Sequence, residues 1–177
     1  MSVTTTWTRQ RRFVIGFILI AGILFSIYCF PYAENGVSER WFNGYLSAYA
    51  GMAGTVLSIL EPRVVVSGTN IVGRFSMEIV KNCDAMEANI LLCSAILAFP
   101  SRWSRRLLSA ALGLAVLIAA NVTRICCLYY VGVYFPSSFE FVHLEIWPLL
   151  LIALAAGEFV FLAAWMQKEA VPHVAAS

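Results

Sequence analysis

Three residues with reactive side chains stand beside apolar segments of the sequence: Cys83, Arg124 and His143. A cysteine thiolate is a nucleophile, a histidine can take up and return a proton near neutral pH, and an arginine donates hydrogen bonds to an oxyanion. Together these side chains can carry out acyl transfer through a thioester. Because Cys83 precedes an apolar helix, we expect unpaired backbone N–H groups to lower the pKa of its thiol.

Each of the three residues also has a simpler explanation. A cysteine near an apolar helix is often a small core residue, an arginine at a membrane boundary can extend toward the headgroups, and a histidine there is often only interfacial. Cys126 and Cys127 are rival nucleophiles beside Arg124. They lie inside a helical run, however, and lack the field of a helix N-terminus, so we favour Cys83.

Two further polar residues are assigned supporting roles. We expect Glu87 to pair with Arg124, and Asn121 to form hydrogen bonds between helices. The five cysteines are scattered, without the spacing of a metal site or a disulfide framework. The sequence therefore predicts neither a metal nor another cofactor.

The composition indicates a membrane protein. The chain has 177 residues, of which 60% are hydrophobic and 12% are charged, whereas soluble domains carry about 25% charged residues. The net charge of +2 is too small to indicate a nucleic-acid partner. Length favours a single domain over residues 1–177. The first apolar segment lacks a small-residue cleavage pattern, so we expect it to remain as an anchor.

Hydropathy predicts an all-α polytopic fold with about four transmembrane helices, since a span needs roughly 20 apolar residues. A further segment has bulky residues on one helical face and small or polar ones on the other, which predicts an amphipathic or re-entrant helix. Next come two strand-like runs, "RVVVSG" and "RFSMEIVK", separated by turn material, which predict a short hairpin. The predicted spans are 13–30, 84–100, 107–124 and 146–166, the amphipathic helix is 41–60, and the hairpin is 62–82.

Loop charge predicts the orientation. Basic residues cluster before the first span, between the second and third, and after the last, and the positive-inside rule assigns all three clusters to the cytoplasm. Both termini are then cytoplasmic, and the amphipathic helix and the hairpin lie at the outer face. The basic residues are Arg9, Arg11, Arg12, Arg102, Arg105, Arg106 and Lys168.

Helical geometry brings the three reactive residues to one level. At about 1.5 Å per residue, Arg124 lies roughly 26 Å above Leu107, near the outer boundary of a hydrocarbon core about 30 Å thick. Cys83 precedes the inward-running second span, and His143 stands just before the outer end of the last one. Pro148 suits the first turn of that last helix.

At these residues the sequence resembles the exosortase/archaeosortase family of membrane cysteine transpeptidases, and most of all the exosortase H subgroup. Three blocks carry the resemblance and cover most of residues 70 to 160: "FSMEIVKNCDAMEANILL", "LAFPSRWSRRLLSAALGLAVLIAANVTRI" and "FEFVHLEIWPLLLIALA". In one respect the chain departs from the family, which often has Asn-Gly or Ser-Gly after the cysteine. Here these positions are Asp84 and Ala85.

The resemblance implies an active site on the outer face of the bacterial inner membrane. It implies Cys83 as the nucleophile, Arg124 as the arginine that stabilises the oxyanion, and His143 as the general acid and base. The implied substrates are exported proteins with a C-terminal sorting signal, made of a short motif, a transmembrane helix and a basic tail. The implied reaction is cleavage through a thioester, followed by transfer to an unidentified acceptor nucleophile.

Two functions of other classes stay open from the residues alone. A non-catalytic membrane scaffold for an export partner explains the amphipathic helix and the hairpin, but not the three converging residues. A membrane cysteine–histidine acyltransferase uses the same residues on a lipid or glycan substrate. Recovery of a lipid acyl group on Cys83, rather than a peptide, distinguishes the acyltransferase.

Overall fold

The computed structural model describes residues 3–29 and 37–168. The fold is mainly helical, with three short strands between the second and third helices. The helices are α1 (Val3–Cys29), α2 (Val37–Leu60), α3 (Met86–Ala98), α4 (Trp103–Tyr134), α5 (Phe139–Phe141) and α6 (Trp147–Lys168). The strands are β1 (Val65–Ser67), β2 (Asn70–Val72) and β3 (Met77–Glu78).

Three helical stretches of the described chain are long and apolar enough to cross a membrane, namely Gln10–Cys29, Trp103–Tyr134 and Pro136–Gln167. Helix α3 is also apolar but shorter. The amphipathic helix α2 does not meet these criteria. The chain is thus a multi-pass membrane protein, and the predicted all-α class with a small sheet is confirmed.

The chain divides into two compact units, and helices α4 and α6 contribute one part to each. The first unit comprises Met1–Cys29, Met86–Leu117 and Ile152–Ser177, and the second comprises Phe30–Ala85 and Ile118–Leu151. In the first unit α1 packs against α3. The ring of Phe13 lies 6.2 Å from that of Phe99 and 5.9 Å from that of Phe159, measured between centroids.

The second unit is built around an antiparallel sheet of order β1-β2-β3. Gly68, at φ +60°, makes the tight turn between β1 and β2. The sequence predicted only turn material between the two strand runs. This prediction is wrong, because Asn70–Val72 is the central strand. Ile71 on that strand is fully buried, and this burial outweighs the turn preference of its glycine and asparagine neighbours.

Helix α4 continues past the predicted span 107–124 to Tyr134. Its additional turns place Ile125, Leu128 and Tyr129 in the core of the second unit, so tertiary packing sustains the helix. The predicted end of the first span at residue 30 and the chain termini, predicted to be cytoplasmic, lie outside the described residues.

The chain enters α6 through a wide π-helical turn, Val142–Ile146, that contains His143. Pro148 has no N–H to donate to the carbonyl of Leu144, and its ring would clash with that carbonyl in a regular α-helix. A π turn at this point relieves both problems. The predicted place of Pro148 in the first turn of the last helix agrees with the start of α6 at Trp147.

Candidate active site

The turn that carries Cys83 is held in an unusual backbone conformation. Lys81–Cys83 form a single 3-10 turn, in which the Cys83 N–H donates to the Val80 carbonyl at 2.8 Å. Ala85 then takes φ +54°, in the left-handed region that glycine adopts most easily. Ala85 is the position where the resemblance leads one to expect glycine, so the alanine takes the conformation despite its Cβ.

The expectation of a lowered pKa for the Cys83 thiol is wrong. Cys83 lies before the first turn of α3 and is only 2% exposed. Burial raises the pKa of the thiol, and the charge of the adjacent Asp84 raises it further. Hydrogen bonding from the backbone and the positive charge of Arg124 act in the opposite direction but do not outweigh burial. The raised pKa therefore favours the protonated form of the thiol.

The imidazole of His143 is in contact with the thiol. The Cys83 Sγ lies 3.1 Å from the His143 Nε2, within hydrogen-bonding distance for a sulfur donor. The imidazole packs against the ring of Phe139 at 5.6 Å between centroids, and Phe139 packs against Phe75 at 5.3 Å. Phe75 in turn fits against Gly132, where any Cβ would clash with the ring. These packed, mutually tilted aromatic rings hold the imidazole in place beside the sulfur.

Arg124 and Asn121 connect helix α4 to both reactive residues. The Arg124 Nη2 donates to the backbone carbonyl of His143 at 3.3 Å, and the Asn121 Nδ2 donates to the backbone carbonyl of Cys83 at 2.9 Å. These residues are three positions apart, and so they share one face of the helix. Both side chains are buried. Three segments distant in sequence thus meet at one point within the second unit.

The remaining candidates are Glu87, whose pairing with Arg124 stays a prediction, and the two rival cysteines. Glu87 is exposed in the first turn of α3 and belongs to the first unit, whereas Arg124 belongs to the second. The rival thiol of Cys126 donates to the carbonyl of Ala53 at 3.7 Å, and Cys127 is exposed. The catalytic roles of the predicted residues stay predictions at this point.

Sequence reasoning missed a contact to the backbone beside Cys83. The Tyr45 hydroxyl of α2 donates to the backbone carbonyl of Asp84 at 3.3 Å, so Asn121 and Tyr45 hold two consecutive carbonyls of this segment. Tyr45 belongs to the bulky face predicted for the amphipathic helix. That pattern indicated its burial but not its hydrogen bond. The Asp84 side chain is also buried, at 2% exposure, and nothing in its sequence context indicated this.

The fold and the site define a multi-pass membrane protein in which a buried cysteine contacts a half-buried histidine. The transmembrane exosortase family matches the chain over residues 4–156. The chain belongs to this family, and the predicted resemblance is confirmed. Membership indicates a membrane transpeptidase for the sorting signals of exported proteins. No curated protein and no solved structure matched the chain.

Proposed function

We propose that this chain cleaves the C-terminal sorting signal of exported proteins through a thioester on Cys83 and transfers the exported protein to an acceptor. The observation that carries this proposal is the 3.1 Å contact between the Cys83 Sγ and the His143 Nε2. A nucleophile and a base within hydrogen-bonding distance, with further groups orienting both, are what covalent acyl transfer requires.

The first half of the proposed reaction forms the thioester. The His143 Nε2 takes the proton of the Cys83 thiol, and the sulfur attacks the carbonyl carbon of the peptide bond to be cleaved. The guanidinium of Arg124 stabilises the tetrahedral oxyanion. His143 then protonates the departing amine, the C–N bond breaks, and the signal helix leaves. In these steps His143 supplies the base that the buried thiol needs because its pKa is raised.

The second half resolves the thioester. His143 removes a proton from an acceptor nucleophile, which attacks the thioester carbonyl and releases the Cys83 sulfur. If the acceptor is a second molecule the reaction is transpeptidation, and if it is water the reaction is hydrolysis. The substrate protein and the enzyme are both anchored in the same membrane, and this anchoring supplies the proximity that the reaction needs.

The proposed location is the bacterial inner membrane, with the site facing the periplasm. The positive-inside rule supports this orientation, because Arg102, Arg105 and Arg106 lie in the connection between α3 and α4. A reporter enzyme fused after Glu61 tests it, since periplasmic activity is expected there. Cytoplasmic activity of that fusion would contradict the orientation.

The nucleophile is tested with Cys83→Ala and the matched control Cys126→Ala. We expect Cys83→Ala to reduce processing of a tagged, co-expressed substrate by more than about a thousandfold, because the covalent route is lost. Cys126→Ala should process within about threefold of the unaltered chain, since its thiol lies outside the site. Processing is followed by gel shift in isolated membranes.

Intact-mass spectrometry of the protein trapped with substrate identifies the intermediate. A peptide mapped to Cys83 as a thioester is the expected species. A lipid acyl group on Cys83 would assign the chain to acyl transfer from lipid instead. Full processing of the substrate by Cys83→Ala would rule out Cys83 as the nucleophile.

A further inference from the structure

One edge of the small sheet leads directly into the turn that carries Cys83, Lys81–Cys83, which is the catalytic turn of the proposed reaction. Strand β3 is the last of the three strands, and among the described residues 3–29 and 37–168 its only neighbouring strand is β2. Cys83 follows Glu78 on β3 by five residues. The extended residues 78–80 and the 3-10 turn after them span about 13 Å, which an extended peptide of about four residues can cover.

The ladder between β2 and β3 decides which backbone groups face outward. The Ile79 N–H donates to the Thr69 carbonyl at 2.9 Å, and Glu78 lies opposite Asn70. In an antiparallel pair, hydrogen-bonded and non-hydrogen-bonded positions alternate. Glu78 therefore occupies a non-hydrogen-bonded position, and its N–H and C=O point away from β2.

This outward edge is open within the part of the chain that the structure describes. There, neither the N–H nor the C=O of Glu78 has a backbone partner beyond the sheet. The side chains of Ser76, Glu78 and Val80 are exposed, in Val80 to 42%. Exposed edges of this kind readily accept another strand, and proteins usually protect them.

We propose that the substrate segment beside the cleaved peptide bond binds as an additional strand on the edge of β3, paired with the backbone of Glu78. The inference rests on the proposed function, because it takes the substrate to be a peptide. An extended peptide added to a sheet edge gains main-chain hydrogen bonds that do not depend on its side chains. The continuity of β3 with the catalytic turn then delivers the peptide carbonyl to Cys83.

The test removes one outward N–H while leaving the ladder to β2 intact. Proline is tolerated on an edge strand where the N–H faces away from the sheet, so Glu78→Pro deletes that donor. Glu78→Ala is the matched control, because it removes the same side chain but keeps the N–H. Both variants are assayed with a tagged exported protein that carries the sorting signal, in detergent micelles.

We expect Glu78→Pro to raise the KM for the tagged substrate about five- to tenfold, corresponding to one main-chain hydrogen bond, with kcat unchanged. Glu78→Ala keeps the outward N–H, so its KM should lie well below that of Glu78→Pro. Alkylation of Cys83 by iodoacetamide needs no strand pairing, so its rate should be the same in both variants. Equal KM values for Glu78→Pro and Glu78→Ala would overturn the proposal.

A second variant guards against misfolding by proline. Replacing the residue at position 78 with the corresponding α-hydroxy acid exchanges the N–H for an oxygen without restricting φ, and the same rise in KM is expected. A KM change accompanied by loss of a dimer on gel filtration would assign the edge to a second copy of the chain and overturn the inference. Failure of the proposed function would show in a different experiment, as continued processing of the tagged substrate by Cys83→Ala.

Discussion

The two compact units differ in how many of their buried polar side chains form hydrogen bonds to another segment of the chain. In the second unit, Cys83, Asn121 and Arg124 each contact a polar group on another segment of the chain. The Asn121 Oδ1 has no hydrogen-bond partner among the residues that the structure describes, but the Nδ2 of the same side chain has one. In the first unit, by contrast, several buried side-chain oxygens have no such partner. They belong to Asn89, Ser94, Ser109 and Glu158.

This difference separates polar groups that form a site from polar groups that lie singly in an apolar environment. Glu158 lies beside Gly113, whose other neighbours are the side chains of Leu92 and Leu162. Such isolated groups carry the cost of desolvation, whereas the groups of the second unit hold one another in place. Substitutions in the second unit are therefore expected to cost activity, and those in the first to cost little.

The largest effect that sharpens this comparison is expected from Arg124→Lys. Lysine keeps the positive charge but loses the planar set of donors that contacts the His143 carbonyl. We expect kcat/KM for the tagged substrate to fall about a hundredfold, the typical loss when an oxyanion donor is removed. The same replacement in the first unit, Arg105→Lys, is the control and should leave kcat/KM within about twofold. A fall of less than threefold for Arg124→Lys would argue against its proposed role.

Removal of one polar group from each unit gives the next largest effect. Asn121→Ala leaves the buried Cys83 carbonyl without its donor, and we expect the free energy of unfolding to fall by about 1–3 kcal/mol. Ser109→Ala removes a hydroxyl that lacks a partner, so it should change stability by less than about 0.5 kcal/mol or increase it. Unfolding in mixed micelles, followed by circular dichroism, measures both. Equal losses of unfolding free energy in the two variants would contradict the difference proposed between the two units.

The pH dependence of Cys83 alkylation tests the electrostatics of the second unit. Because the pKa of the buried thiol is raised, iodoacetamide should react slowly at neutral pH, and the rate should rise with pH past the midpoint of an ordinary cysteine. Arg124→Met removes a positive charge that lowers the pKa, so its profile should move to higher pH. Asp84→Asn removes a negative charge that raises the pKa, so its profile should move to lower pH.

Mass spectrometry of the Cys83 peptide follows this alkylation separately from that of the other cysteines. A rate that is already at its plateau near pH 6 would indicate a stable thiolate–imidazolium pair and contradict the protonated resting thiol. Identical profiles for Arg124→Met and Asp84→Asn would show that neither charge acts on the sulfur.

The smallest effect is expected from Ala85→Gly. Glycine takes φ +54° without the steric cost that alanine bears there, but it also gains conformational freedom in the unfolded chain. These terms oppose each other, so stability should rise by less than about 1 kcal/mol, with kcat within about twofold. A loss of stability would mean that the conformational entropy of glycine and the lost packing of the Ala85 methyl group together outweigh the relief of strain. Micelle unfolding of the variant decides between these outcomes.

The sequence was sufficient for the features that depend on local composition. Apolar length predicted the membrane class, and the three matching blocks predicted the family. Helical rise placed Arg124 far from the start of its helix. These inferences succeed because hydropathy and the rise per residue act over one segment at a time.

Tertiary structure decided what lies between segments. The strand Asn70–Val72, the extension of α4 to Tyr134 and the hydrogen bond from Tyr45 to Asp84 all depend on packing against distant residues. The raised pKa of Cys83 has the same origin, since the burial that raises it comes from the core of the second unit. The local sequence of Cys83 predicted a lowered pKa, whereas the folded chain raises it, because desolvation is a property of the tertiary structure.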